Sequence, residues 1–180
     1  MSVARCGDLR MRDIAHLTLH AILIGAGATL LTDLWTLARQ RLLGIAAPEF
    51  RLVGRWFAHM IDGRFHHDSI AAAAPRRAER AIGWTAHYLT GVAFASILLA
   101  ICGIDWAHRP TLGPALMVGL GSVAAPFLLM QPAMGAGIAA SRMPHPNAAR
   151  WRSIVMHAVF GLALYAAAWM MTFVEHANRA

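Results

Sequence analysis

Four stretches of this chain, about residues 14–37, 82–104, 112–140 and 153–174, stay apolar over lengths that can cross a bilayer. A hydrocarbon core about 30 Å thick needs roughly 20 residues of helix, and a helix satisfies its own backbone polar groups where water cannot. The pattern predicts an all-α polytopic membrane protein with four transmembrane helices, read as a single integral membrane domain over residues 1–180. Composition agrees, with 58% hydrophobic and 14% charged residues and a mean hydropathy of +0.49, outside the range of ordinary soluble domains. The first stretch has features of a signal peptide, since Arg10 and Arg12 precede it and Ala26 to Ala28 reads AGA. Its apolar run continues through Leu37, however, which favours a span.

All 16 basic side chains are arginine, and the formal net charge is +7. They flank apolar spans and do not alternate with aromatics on a polar surface, so lipid is the expected partner and nucleic acid is not. Arg5, Arg10, Arg12, Arg109 and Arg179 fall on the side of the termini, and the other eleven lie in the loops about 39–81 and 141–152. The positive-inside rule then predicts both loops cytoplasmic and both termini on the outer side of the membrane. Cys6 and Cys102 would share the oxidising side, where a disulfide is conceivable but nothing in their spacing requires one.

The third span is too long for one perpendicular crossing and carries Pro126 and Pro132. Each proline removes a backbone donor and crowds the preceding turn, so a kink or break is expected there, with an irregular exit through Met130 to Arg142. In the first loop Phe50, Val53, Phe57, Met60 and Ile61 recur at helical spacing, with Arg51, Arg55, His59 and Asp62 on the opposite face. That pattern describes a basic amphipathic helix, lying either on the inner membrane surface or across the mouth of the bundle.

The second and fourth spans align at a shift of seventy residues, placing Arg80, His87, Gly91 and Ala93 on Arg150, His157, Gly161 and Ala163. The first and third agree through Ile22 to Thr29 and Leu116 to Val123, which share a GxG spacing. Two hairpins entering the membrane in the same direction would form a tandem repeat with any site at their interface. Chance likeness among Gly- and Ala-rich helices is the alternative.

Small residues every fourth position put His87 and His157 on faces that pack against protein. Each histidine lies seven residues past an arginine, and Asp33 lies six before Arg39. These spacings bring Asp33, His87 and His157 to similar depths just inside the cytoplasmic boundary, with Gln131 from the third span as a further member. A carboxylate at depth is costly without a partner, so this intramembrane polar layer is expected to be either a packing knot or a working site. Asp33, His87 and His157 also suit a metal with one open position, although their spacing does not demand one. Two opposed haem ligands would need a wider gap than the small-residue stripes allow. A second candidate site lies in the first loop at His59, His66, His67 and Asp68. His16 and His20 share a face at the outer end of the first span, where an interfacial role suffices. No hydrolase, zinc-protease, phosphate-loop or dinucleotide fingerprint is present, so no catalytic residue is named.

Taken together, TDLW at Thr32, LVGRW at Leu52, GRFHHDSIAAAAP at Gly63, ERAIGWTAHY at Glu79, QPAMGAGIAASR at Gln131 and HAVFGLALY at His157 resemble the bacterial membrane proteins grouped as domain of unknown function 2938. The resemblance covers nearly the whole chain and implies an integral inner-membrane protein without supplying an activity, cofactor or partner. The residues themselves suggest small-solute or proton-linked binding or transport through the Asp/His layer. A non-catalytic accessory or assembly subunit of a membrane complex and a metal-dependent membrane oxidoreductase are the alternatives, and the partner is expected to be a second copy of the chain or a membrane complex.

Overall fold

The computed structural model describes residues 11–177; Arg5, Cys6, Arg10 and Arg179, which entered the charge and thiol readings, lie outside them. The described chain is helical without strands: α1 (Met11–Leu43), α2 (Phe50–Met60), α3 (Glu79–Cys102), α4 (Asp105–His108), α5 (Leu112–Gly121), a π-helical turn (Ala125–Met130), α6 (Gln131–Ala133), a 3-10 turn (Ile138–Ala140) and α7 (Pro146–Ala177). Four helical segments are long and apolar enough to cross a membrane: Ile14–Leu43, Glu79–Cys102, Leu112–Ala133 and Pro146–Ala177. Leu30, Leu89, Ile101, Met117, Leu128, Leu162 and Phe173 stay exposed on their outer faces, as lipid-facing positions must. The chain is a multi-pass membrane protein.

Small residues fix the two hairpins. A Cβ at Gly25 would strike the backbone of Gly91 and Val92, and one at Gly119 would strike that of Gly161. Gly25 corresponds to Gly119, and Gly91 to Gly161, in the internal alignment, so the α1–α3 and α5–α7 crossings use matching positions. Without water to drive helices together, such close backbone approach is what van der Waals packing has to work with. Gly119→Leu should therefore destabilise the protein by about 1–3 kcal/mol through overpacking. Gly121→Ala, which meets nothing within 4 Å, should be neutral in the same thermal unfolding measurement in detergent.

The core is concentrated toward the end of the bundle where α1 begins and α7 ends. Ile24, Ala28, Ala95, Leu98, Leu99, Ala115, Leu164 and Ala168 are buried there. The opposite half is looser because the third span does not stay α-helical. At Pro126 the backbone widens into the π-helical turn, and Pro132 follows in α6, consistent with the deletion of donors and the ring clash at each proline. Beyond Ala133 the chain turns through Gly135 (φ 95°) and Gly137 (φ 75°), an irregular exit of the kind the two prolines predict. Its released carbonyls are covered by the first loop: His67 N–H donates to Ala133 O at 2.8 Å and Ile70 N–H to Met134 O at 3.1 Å.

Helix α2 forms where the amphipathic pattern places it. Its apolar and polar faces are separated as the periodicity predicts, but the polar face packs inward. Arg55 and His59 are buried against the loop while Phe57 and Ile61 are exposed. Gly54 sits on the Glu79 carbonyl and Gly83, and Gly83 in turn sits under Phe50 O, so α2 lies close on the start of α3. Arg55 is buried with all three of its guanidinium nitrogens bonded. Nε and Nη2 bind Glu79 at 2.8 and 3.0 Å, and Nη1 reaches the carbonyls of Ala71 and Ala73 at 3.1 and 3.0 Å. A buried charge is tolerated when it is paired and its hydrogen bonds are filled.

Candidate functional site

Between the hairpins, in the half nearest the loops, lies a cavity of about 490 Å³. Its walls include Thr29, Thr32, Phe50, His87, Ser122, Gln131 and His157, with Arg39 and Arg152 also on its lining. Three of the four residues expected in the polar layer thus line one space. The fourth, Asp33, does not reach the lining but holds His87: Nε2 lies 2.9 Å from Asp33 Oδ1. Tyr88, next to His87 on α3, donates to the other carboxylate oxygen at 3.1 Å. Phe50 of α2 stacks on the His87 ring at 4.0 Å between centroids, so the amphipathic helix forms part of the cavity wall.

The hydrogen bonds assign the tautomers when both imidazoles are neutral. A carboxylate only accepts, so His87 Nε2 carries the proton and Nδ1 is left without a protein partner. Ser122 Oγ lies 2.6 Å from both Gly119 O and His157 Nδ1. A hydroxyl has one proton; when the carbonyl takes it, His157 Nδ1 must donate to Oγ, and His157 Nε2 is the unpartnered nitrogen. Each histidine therefore has one nitrogen fixed by protein and one without a protein partner, and both residues line the cavity. Arg39 and Gln131, both on the lining, also carry buried atoms, Nε and Oε1, with no protein partner. No carboxylate lines the cavity among the described residues.

Asp33 and His87 are brought together, whereas His157 belongs to a separate pair with Ser122. Asp33, His87 and His157 are not among the described three-residue sets whose ligand atoms converge on a metal position. The loop residues separate in the same way. His66 and Asp68 are exposed, while His59 and His67 meet edge to face at 5.0 Å. His59 donates from Nε2 to Ala74 O at 3.0 Å and accepts from Arg76 at Nδ1 at 3.2 Å. Both ring nitrogens of His67 are buried without partners.

Burial, with His59, Arg64 and His66 nearby, holds the His67 imidazole below its ordinary value. A folded-state value below the unfolded one stabilises the neutral form, so that stability is present above about pH 6.5 and lost as pH falls toward the folded value. Loop docking should loosen on that acidic limb, read as faster hydrogen exchange at Ile70, and His67→Phe should flatten the dependence.

Sequence reasoning missed Tyr88, Ser122, Arg39 and Arg152. Tyr88 had a signal in its adjacency to His87, and the two arginines read only as topology anchors. A family model described as "Protein of unknown function (DUF2938)" matches residues 22–171. The chain belongs to this family. No curated protein and no solved structure matches it significantly. The match takes in every residue named on the cavity wall.

Proposed function

We propose that this protein binds a small anionic solute in the cavity between its hairpins, with a linked proton, and takes part in its passage across the bacterial inner membrane. In this reading it acts as one integral membrane domain with cytoplasmic loops and periplasmic termini, as its arginine distribution favours. The carrying observation is the cavity itself, which is lined by two histidines, each with one unpartnered nitrogen, and two arginines, and by no carboxylate among the described residues. Its volume suits a small molecule, and Phe50, Phe94, Phe160 and Met130 on the lining suit an apolar body behind an acidic group. A weak organic acid is the fitting class. In this reading the Asp33–His87 pair carries the linked proton, so an acid entering at the arginines binds as anion plus proton.

A second reading is favoured by the saturated Asp33 carboxylate, both of whose oxygens are bonded. It makes the pair a packing lock in an accessory subunit. The experiment is thermal unfolding of detergent-purified protein with benzoate, octanoate, phosphate or sulfate. Binding predicts saturable stabilisation by one of the organic acids, reaching about 2.7 kcal/mol at a hundredfold excess over Kd. It also predicts loss of that effect in Arg152→Gln, an exposed position. Stabilisation by none of the four, or equally in the variant, contradicts the binding reading.

A further inference from the structure

We propose that His20, His108 and Glu175 form a binding site for one divalent transition-metal ion, Zn²⁺ by ligand type, at the end of the bundle opposite the cavity. Three separate elements meet there: α1, the short α4 and the last turn of α7. Their ligand atoms all lie within 4.8 Å of one another. Glu175 Oε1 is 3.2 Å from His20 Nε2, and its Oε2 is 3.4 Å from His108 Nδ1. One carboxylate thus addresses both imidazoles, whose rings stand edge to face at 5.4 Å.

The hydrogen bonding of His20 points to a cation. Its Nδ1 lies 2.7 Å from the His16 carbonyl, which can only accept, so Nδ1 carries a proton and neutral Nε2 presents a lone pair. That lone pair faces a carboxylate oxygen, and two acceptors do not bond each other. Nε2 is also sealed from solvent and makes no hydrogen bond, although the carboxylate is within ion-pair distance. A metal ion between the two resolves this conflict. The Nδ1–H to carbonyl bond is the usual device for fixing the tautomer and orientation of a ligating histidine.

The spacing agrees. With Zn–N about 2.0–2.1 Å and Zn–O about 2.0–2.2 Å, neighbouring ligand atoms of a tetrahedral ion stand about 3.3–3.5 Å apart. The position of His108 is set by the fold: Trp106 and Ala107 beside it are buried, and Trp106 Nε1 donates to Thr111 O at 3.3 Å. Two imidazoles and one carboxylate leave a coordination position for water, a donor set that suits Zn²⁺ and other first-row ions. His20 therefore does more here than an interfacial histidine at the end of a span.

The test uses untagged, chelator-dialysed full-length protein in detergent, titrated calorimetrically with Zn²⁺ and optically with Co²⁺. The expected result is one Zn²⁺ per chain and visible Co²⁺ bands of low coordination number. His108→Ala, at a half-exposed position, and Glu175→Gln should each weaken Zn²⁺ binding by at least about tenfold. His145→Ala, at an exposed position on the loop side, should leave it unchanged. Binding by the native chain no tighter than by the His20→Ala, His108→Ala, Glu175→Gln triple variant would overturn the proposal. So would full retention in both single variants, and an ordinary imidazolium–carboxylate pair would then account for the cluster.

Discussion

Replacing Glu79 with alanine should cost about 3–5 kcal/mol, because it strands the buried Arg55 guanidinium. Glu79 receives Arg55 through two nitrogens, Arg51 Nη1 at 3.1 Å and the Arg76 backbone N–H at 3.1 Å. With the carboxylate gone, Arg55 keeps only carbonyl partners, and the surroundings that sealed the pair oppose an unpaired charge. The effect should be local before it is global. Helix α2 is held on α3 by this pair and by the Gly54–Gly83 approach, so its release should expose the Arg64 region to trypsin. It should also remove Phe50 from the cavity wall. Thermal unfolding and limited proteolysis read both consequences. A combined Arg55→Met and Glu79→Met variant should recover much of the loss, since an apolar pair leaves no stranded charge. A Glu79→Ala protein within about 0.5 kcal/mol of the native chain would mean that the pair does not hold α2.

The spans were legible because bilayer thickness imposes a length and an apolar composition that a single sequence displays. The Asp33–His87 contact was legible for a related reason: depth follows from counting residues from the flanking arginines, and small-residue stripes reveal the packed face. His157 shares the depth of His87, yet it bonds Ser122 because each histidine is partnered within its own hairpin. Depth alone does not specify that choice. The inward turn of α2 was hidden because periodicity separates two faces without saying which is buried. Arg55 could face inward only because Glu79, 24 residues away, supplies a counter-charge. The His20, His108 and Glu175 cluster was hidden for the same reason, since three elements far apart in sequence assemble it. Pro126 of the π-helical turn lies on the cavity lining, where sequence predicted a disruption of the helix but not a space beside it.

The second large effect is expected from Asp33→Asn, in function and not in stability. The amide oxygen can accept from His87 Nε2–H, and the amide nitrogen can donate to the Tyr88 hydroxyl, so both contacts survive with a change of donor. What disappears is the negative charge beside His87. Packing should hold, with the melting temperature near that of the native chain. Leucine at the same position, by contrast, leaves both partners unsatisfied, a cost of about 1–3 kcal/mol for each buried group. The charge-neutral variant therefore separates a working site from a packing lock.

The most direct measurement of that distinction is benzoate-dependent proton movement in proteoliposomes carrying a trapped pH indicator, with empty vesicles subtracted to remove passive diffusion of the acid. The native protein should give a saturable benzoate-dependent pH change above the vesicle background. Asp33→Asn, equally stable and equally well inserted, should lose about tenfold or more of that rate, as expected when a positioned proton-transfer group fails. A stable Asp33→Asn protein that moves protons with benzoate as fast as the native chain would contradict proton linkage through the Asp33–His87 pair and leave that pair as a contact between two helices.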